Sequence, residues 1–333
     1  MARPAVANYV DLIFTLFALF LQQQSVRPHR GHPFVYRHPK LIVFFTLMHL
    51  RQIFHFKTQH RWLTQHRDDQ QVLGFASVPH RTTLSRRYKA LYPILQDFVA
   101  FVGHYAEDLD PAFESRELYE DKSLFKAQGP VWHQSDRQAG RIPKGLHHLD
   151  HDATWGKSTY HGWVYGYGLH LGDNAAGFRK LVQVETASVA ESPVLDAQEP
   201  RLLHEVIPNT LTTDDAYPQA PRIRRWAQAG VVLLTPALRW VKGRYATAYH
   251  RFIQEPQQAE LLRRRRTAIE PVFDLVAQLI GATDNHKQLA LQGLANVRTC
   301  LALATLTLQV AMIANSIWGL PLRNISTMTT AFT

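Results

Sequence analysis

Acidic residues stand at three places along this chain where a strand end or a polar helix face would present them. Asp150 and Asp152 lie in HHLDHDATW (147–155), Asp214 and Asp215 in TTDDAYP (212–218), and Glu270 in RRRRTAIEPVF (263–273). Carboxylates are hard oxygen ligands, and a few of them holding two Mg²⁺ ions provide what phosphodiester chemistry needs at neutral pH. They activate a water or hydroxyl and neutralise charge on the phosphate. Asp150 and Asp152 are one strand period apart, so both point to one side of a strand and either fits as the first acid. Asp214 and Asp215 end a predicted strand, and either fits as the second. Glu270 falls off the apolar stripe of its helix, where Arg263 and Arg266, seven and four positions earlier, share its face. Each acid taken alone also reads as a solvated or ion-paired surface residue. His147, His148 and His151 crowd the first aspartates, but eighteen histidines in the chain make chance clustering the simpler explanation.

Composition narrows the classes. The chain has 333 residues, 46% hydrophobic and 19% charged, which suits one large or two ordinary globular domains and excludes wholesale disorder. Lys and Arg number 37 against 27 Asp and Glu, a net charge of +10 that favours a polyanionic partner. The single cysteine, Cys300, excludes an internal disulfide framework and multi-cysteine zinc sites, and it suits a reducing cytoplasm. The apolar run 12–21 is too short to cross a bilayer. The run 299–318 is long enough, but Gln309, Asn315 and several threonines interrupt it, so a helix buried in the core is expected and no membrane partner.

The elements that must position the acids follow from periodicity. Apolar runs at 10–21, 41–56 and 91–102 predict helices. In FASVPHRTTLSRRYKAL (75–91), Pro79 breaks the chain, Thr82 or Thr83 can cap, and Leu84, Tyr88 and Leu91 repeat at helical spacing. The other face of that helix carries Arg81, Arg86, Arg87 and Lys89, as a DNA-reading helix would, or equally an ordinary helix with a solvated basic face. The polar stretch from about 103 to 144 reads as a connection. Strands are expected at 145–153, at 163–171 (Trp163, Tyr165, Tyr167, Leu169 and Leu171 alternate) and at 180–190, joined as an antiparallel meander. Gly166 and Gly168 lie inside that pattern with no helix opening after them, so they are no nucleotide loop. A helix after Pro200, a strand at 210–215, a helix at 221–230, a buried strand at 231–235 and long helices at 257–280 and 286–318 complete a mixed sheet with helices on its faces.

In this order the motifs resemble the DDE transposases of bacterial insertion sequences, in the branch that includes the insertion-sequence four and five families. The resemblance covers about 60–318. Asp152 with Thr154 matches the first motif, Asp214 with Tyr217 the second, and Arg266 with Glu270 the glutamate signature. Arg263 and Ala277 stand where that signature often has Tyr and Lys, and Pro271 is expected to start or kink its helix. The resemblance implies a ribonuclease-H-like α/β catalytic domain at 145–320, with a mixed sheet flanked by helices. A helical DNA-binding region at 1–110 precedes it, with a linker at 111–144 and a tail at 321–333. It also implies Asp152, Asp214 and Glu270 as catalytic metal ligands for two Mg²⁺ or Mn²⁺ ions. Contacts to DNA are expected from Arg81, Arg86, Arg87, Lys89, Arg263 and Arg266. The implied partners are double-stranded transposon ends and target DNA, bound by a cytoplasmic homodimer that cleaves DNA and transfers strands from a freed 3′-hydroxyl. A nuclease of the same fold and a non-catalytic DNA-binding descendant are the competing functions.

Overall fold

The computed structural model describes residues 6–24, 34–158, 162–217, 219–238, 242–282 and 287–326. Positions 159–161 of the first motif's neighbourhood, Pro218, the expected helix start at 286 and residues 327–333 of the expected tail lie outside the described residues. The helices are α1 Val6–Gln23, α2 His38–Leu50, α3 Phe56–Gln65, α4 Arg67–Val72, α5 Arg81–Lys89, α6 Tyr92–Leu109, α7 Gln134–Gln138, α8 Glu191–Arg201, α9 Ala220–Gln228, α10 Arg244–Ile253, α11 Pro256–Leu279 and α12 Leu294–Ile317. The strands are β1 Glu117–Lys126, β2 Thr154–Ser158, β3 Gly162–Asn174, β4 Arg179–Thr186, β5 Thr210–Thr212 and β6 Val232–Leu234. They form two compact units, one of residues 1–102, 126–152 and 275–333, the other of 103–125 and 153–274.

The first unit is helical and is built around α12, which packs against α1, α2 and α5. α12 is long and apolar enough to cross a membrane, but 89% of its most apolar stretch is buried inside the protein. Many of its polar side chains find partners there, although the amide oxygens of Asn296 and Asn315 do not among the described residues. Thr305 and Thr307 donate to the carbonyls of Leu301 and Leu303, Gln309 to that of Val99, and the Asn315 amide to those of Pro321, Leu322 and Asn324. The short apolar run near the N-terminus is α1, whose Phe17 and Phe20 pack edge-on or tilted against Phe98. On α5 the apolar positions Leu84 and Tyr88 are buried as their spacing requires, while the cap is His80, which accepts the N–H of Thr82, rather than a threonine.

The second unit holds the sheet, in the order β2-β3-β1-β5-β6 with β4 also paired to β3. β3 is antiparallel to β2 and β4, whereas β1, β5 and β6 run parallel. Leu118, Leu211 and Leu233 of the three parallel strands meet Leu195, Tyr217, Trp226, Tyr249, Ile253 and Leu261 in one core. The structure departs from expectation in four places. β1 lies within the stretch expected as a linker. Residues 145–153 form turns, and the first meander strand is β2 instead. α11 runs without a break through Pro271, so Glu270 sits in mid-helix. Pro200 does not start a helix but lies in the last turn of α8, which a π-turn at Leu202–Val206 extends.

Candidate active site

The parallel register of β1 and β5 is where the site begins. Leu118 pairs with Leu211 and Tyr119 with Thr212. Two residues further along each chain stand Asp121 and Asp214, and side chains two apart on a strand share a side. Adjacent strands are about 4.8 Å apart, so this register brings two carboxylates to neighbouring strand ends. β5 stops pairing at Thr212, and Asp214 enters a tight turn in which its Oδ1 accepts the N–H of Ala216 at 2.8 Å. Its backbone is fixed from β6: Thr213 N–H donates to Leu234 O at 2.8 Å, and Thr235 Oγ1 donates to Asp214 O at 2.9 Å. Thr235 is itself held by the Tyr249 hydroxyl, which accepts its N–H at 2.8 Å. Tyr217, three after Asp214, is buried in the core below.

α11 supplies the third acid. Its Arg265 reaches Asp121, with Nη1 2.6 Å from Oδ2, and both side chains are mostly buried. The other oxygen, Asp121 Oδ1, accepts the N–H of Lys122 at 2.9 Å. Glu270 lies on the exposed face of α11, 3.6 Å from Arg266 across one helical turn. The acids feel one another. Burial pushes Asp121 up from the usual carboxylate range, Arg265 and the Lys122 amide pull it down, and the charge of Glu270 raises it further. Asp214 is pushed up to about 6, first by burial, against the pull of the Ala216 amide, with Asp121 and Glu191 adding to the rise. Like-charged neighbours in a partly dry site produce this pattern.

Two further charged residues of β1 complete the surroundings. Glu120 is fully buried, its oxygens have no hydrogen-bond partner among the described residues, and burial pushes it up to about 8. At pH 7 that burial favours its protonated form. Lys122 threads inward, donating to the carbonyls of Val189 at 2.6 Å and Ala187 at 3.2 Å and pairing with Glu191 at 3.7 Å. Its stem passes where Gly168 has no side chain; a Cβ there would come within 2.7 Å of Lys122 Cε. That is the physical reason for a glycine in the middle of β3.

The predicted residues are distributed as follows. Asp214 and Glu270 share the second unit and an electrostatic field with Asp121, which the sequence reading passed over. Asp150 and Asp152 belong to the first unit, where they cap α12: Asp150 Oδ2 accepts Gly293 N–H at 3.1 Å, and Asp152 Oδ2 accepts Leu294 N–H at 2.8 Å. A helix N-terminus with unpaired amides and a positive dipole end explains two aspartates there without catalysis. Arg81, Arg86 and Lys89 are exposed on α5, whereas Arg87 is half-buried with its guanidinium 3.7 Å over the Phe34 ring. Arg263 and Arg266 are exposed, the first bound to Glu260 at two points of 2.8 Å and the second to Glu270. His147, His148 and His151 are exposed as well. Among the described residues, no three His, Cys, Asp or Glu side chains stand close enough to hold a metal ion as they are. The donor chemistry around Asp121 and Asp214 nonetheless fits a hard divalent cation: the ligating atoms are carboxylate oxygens, and a guanidinium already supplies positive charge to one of them. The missed signal was Asp121-Lys122-Ser123 after Leu118-Tyr119, an acid at the end of an apolar pair in a stretch too charged to read as a strand.

The family model for the transposase DDE domain matches residues 121–303, opening on Asp121 and covering more than half of the chain. No curated protein and no solved structure matches it. The chain belongs to the family of proteins with a transposase DDE domain.

Proposed function

We propose that this protein is a DNA transposase whose metal ligands are Asp121, Asp214 and Glu270, with Asp121 in the role the sequence suggested for Asp152. The observation that carries the reading is the register of β1 and β5, which sets Asp121 level with Asp214, together with the Arg265–Asp121 pair that ties α11 and its Glu270 to the same strand. The strand order supports a ribonuclease-H-like domain, with the first acid on the central strand β1 between β3 and the parallel β5. A divalent Mg²⁺ or Mn²⁺ pair held by these carboxylates would activate a water or 3′-hydroxyl and neutralise the scissile phosphate. The chain's own residues do the rest. The Thr235 and Ala216 contacts hold Asp214 at the strand end, and Arg266 stands beside Glu270 on an exposed face open to a phosphate. The exposed cations of α5, Arg81, Arg86 and Lys89, fit contact with the phosphate backbone of the transposon ends. On this reading the enzyme acts in the cytoplasm as a homodimer on DNA, in the manner of the insertion-sequence four and five branch.

The test uses a plasmid that carries the DNA flanking the coding region. Mg²⁺ or Mn²⁺ should support nicking and strand transfer, and a chelator should stop both. Asp121→Asn and Asp214→Asn should each bind the DNA and leave it uncut. Nicking by folded Asp121→Asn at the wild-type rate would return the first acid to another residue. DNA binding by the wild type without any cleavage would leave a non-catalytic DNA-binding protein, and cleavage without strand transfer a nuclease.

A further inference from the structure

Four consecutive arginines run along α11, and they do not behave alike. Arg263 and Arg264 both bind Glu260 on their own helix. Arg266 pairs with Glu270, again on its own helix, with 69% of the arginine side chain exposed. Exposed pairs of this kind contribute little. Arg265 turns inward instead: its side chain is 15% exposed, and it meets Asp121, 144 positions away, at 2.6 Å.

The guanidinium occupies a place with too much negative charge around it. Asp121 carries the field of Glu270, and Asp214 carries the fields of Asp121 and Glu191. Arg265 is the cation that opposes both, lowering Asp121 and Asp214 alike. With Arg265 on Oδ2 and the Lys122 amide on Oδ1, the Asp121 carboxylate has a donor on each oxygen. An ion that binds Asp121 competes with the arginine for the same negative charge, and a carboxylate oxygen gripped by a guanidinium at this distance is a charge-assisted bond of the stronger kind.

We propose that Arg265 is a displaceable resident cation, which neutralises Asp121 while the site is without metal and gives the carboxylate up to a divalent ion, freeing its guanidinium for a DNA phosphate. The proposal rests on reading Asp121, Asp214 and Glu270 as the metal site. Arg265 then does two jobs in sequence: it keeps the acids assembled on β1 and α11 beforehand, and it is released beside them when the charge it balanced is supplied by the ion.

The consequence is competition, and Mn²⁺ binding to the full chain without DNA reads it directly, through the loss of the free-ion signal in electron paramagnetic resonance. Arg265→Gln removes the competing charge and should lower the Kd for Mn²⁺ about tenfold, the size expected for losing one hydrogen bond between charged groups. Arg266→Gln, exposed and paired on its own helix, should leave it within about twofold. Equal or weaker Mn²⁺ binding by folded Arg265→Gln overturns the proposal. Should that variant fail to fold, Arg265→Lys keeps the charge but loses the planar reach of the guanidinium, and its looser grip on Asp121 should lower the Kd about threefold. An unchanged Kd in Arg265→Lys would overturn it then. If the folded wild type takes up no Mn²⁺ at all, the metal-site reading itself fails and takes this inference with it. Normal wild-type uptake with no gain in either variant refutes the displaceable arginine alone.

Discussion

Replacing Asp152 with alanine should cost stability and leave DNA cleavage intact. α12 starts at Leu294, and the first amides of a helix have no partners within it. Asp152 Oδ2 takes the Leu294 N–H at 2.8 Å, Asp150 Oδ2 takes the Gly293 N–H at 3.1 Å, and Asp150 Oδ1 takes the N–H of Asp152 at 3.2 Å. Losing a side-chain cap costs about 1 kcal/mol, in a range of roughly 0.5–2. Losing a negative charge at the positive end of the helix dipole adds about 0.3–1 kcal/mol. Asp150 remains to cover part of both, so Asp152→Ala should lose about 1–2 kcal/mol. Asp152→Asn keeps an acceptor oxygen and loses the charge, for about 0.5 kcal/mol. The effect is not local, because α12 is the buried centre of its unit and its first turn anchors a helix whose side chains from Val297 to Asn315 are almost all buried. The assay is the urea midpoint followed by far-ultraviolet circular dichroism, run beside Mg²⁺-dependent nicking of the same preparations. A metal ligand would show the reverse pattern. If Asp152→Asn unfolds with the wild type and no longer nicks DNA, the helix-cap account is wrong and the first acid lies in the first unit.

Three further outcomes follow from the same contacts. Asp214 is pushed up to about 6, so its favourable contribution is complete below the ordinary carboxylate range and is lost as pH rises through about 6. Metal-free Asp214→Asn should therefore match the wild type near pH 4 and exceed its stability at pH 8 by about 1–2 kcal/mol; a variant less stable at pH 8 would contradict this. Glu120, pushed up to about 8 by burial, has the same sign over a higher window, and wild-type stability should fall between pH 5 and 8 by about 2–4 kcal/mol more than that of Glu120→Gln. Parallel pH profiles for the two proteins would show that Glu120 is ionised in the fold. On α5, Arg81→Ala with Arg86→Ala should reduce the slope of log K for duplex DNA against log salt by about 2, while Arg87→Ala should chiefly loosen the packing against Phe34. An unchanged slope in the folded double variant would leave that face merely solvated.

Much of the fold is legible where an element obeys one period throughout. Tyr165, Tyr167, Leu169 and Leu171 alternate and are buried in β3, and the stripe of Ile269, Val272, Phe273, Val276 and Leu279 is buried along α11. Gly230 ends α9 with a φ of +81°, as a helix-stopping glycine should. α12, with threonines bonded back to its own carbonyls, reads correctly as a core helix. The stretch that holds Asp150 and Asp152 reads as a strand yet forms turns, for a physical reason. Aspartates two apart before a Thr look like ligands at a strand start, yet their partners are amides at 293 and 294, more than 140 positions away, which no local pattern reveals.

β1 is illegible for a deeper reason, which also supports the proposal that it carries the first acid. Glu120, Asp121 and Lys122 follow one another in a strand at the centre of a sheet, where aliphatic residues are the rule. No hydropathy window finds a strand there. The fold tolerates the run because each charge is answered by a residue distant in sequence: Arg265 for Asp121, Glu191 for Lys122, and for Glu120 a proton, with Arg222 opposing it from nearby. Such compensation rarely makes a protein more stable than well-packed apolar residues would. Its presence on the strand whose register leads to Asp214 therefore calls for a reason other than stability. On the proposed reading, acids held close enough to repel one another prepare a site to take up divalent charge. The same residues that defeat a search for a strand thus argue for where the chemistry lies.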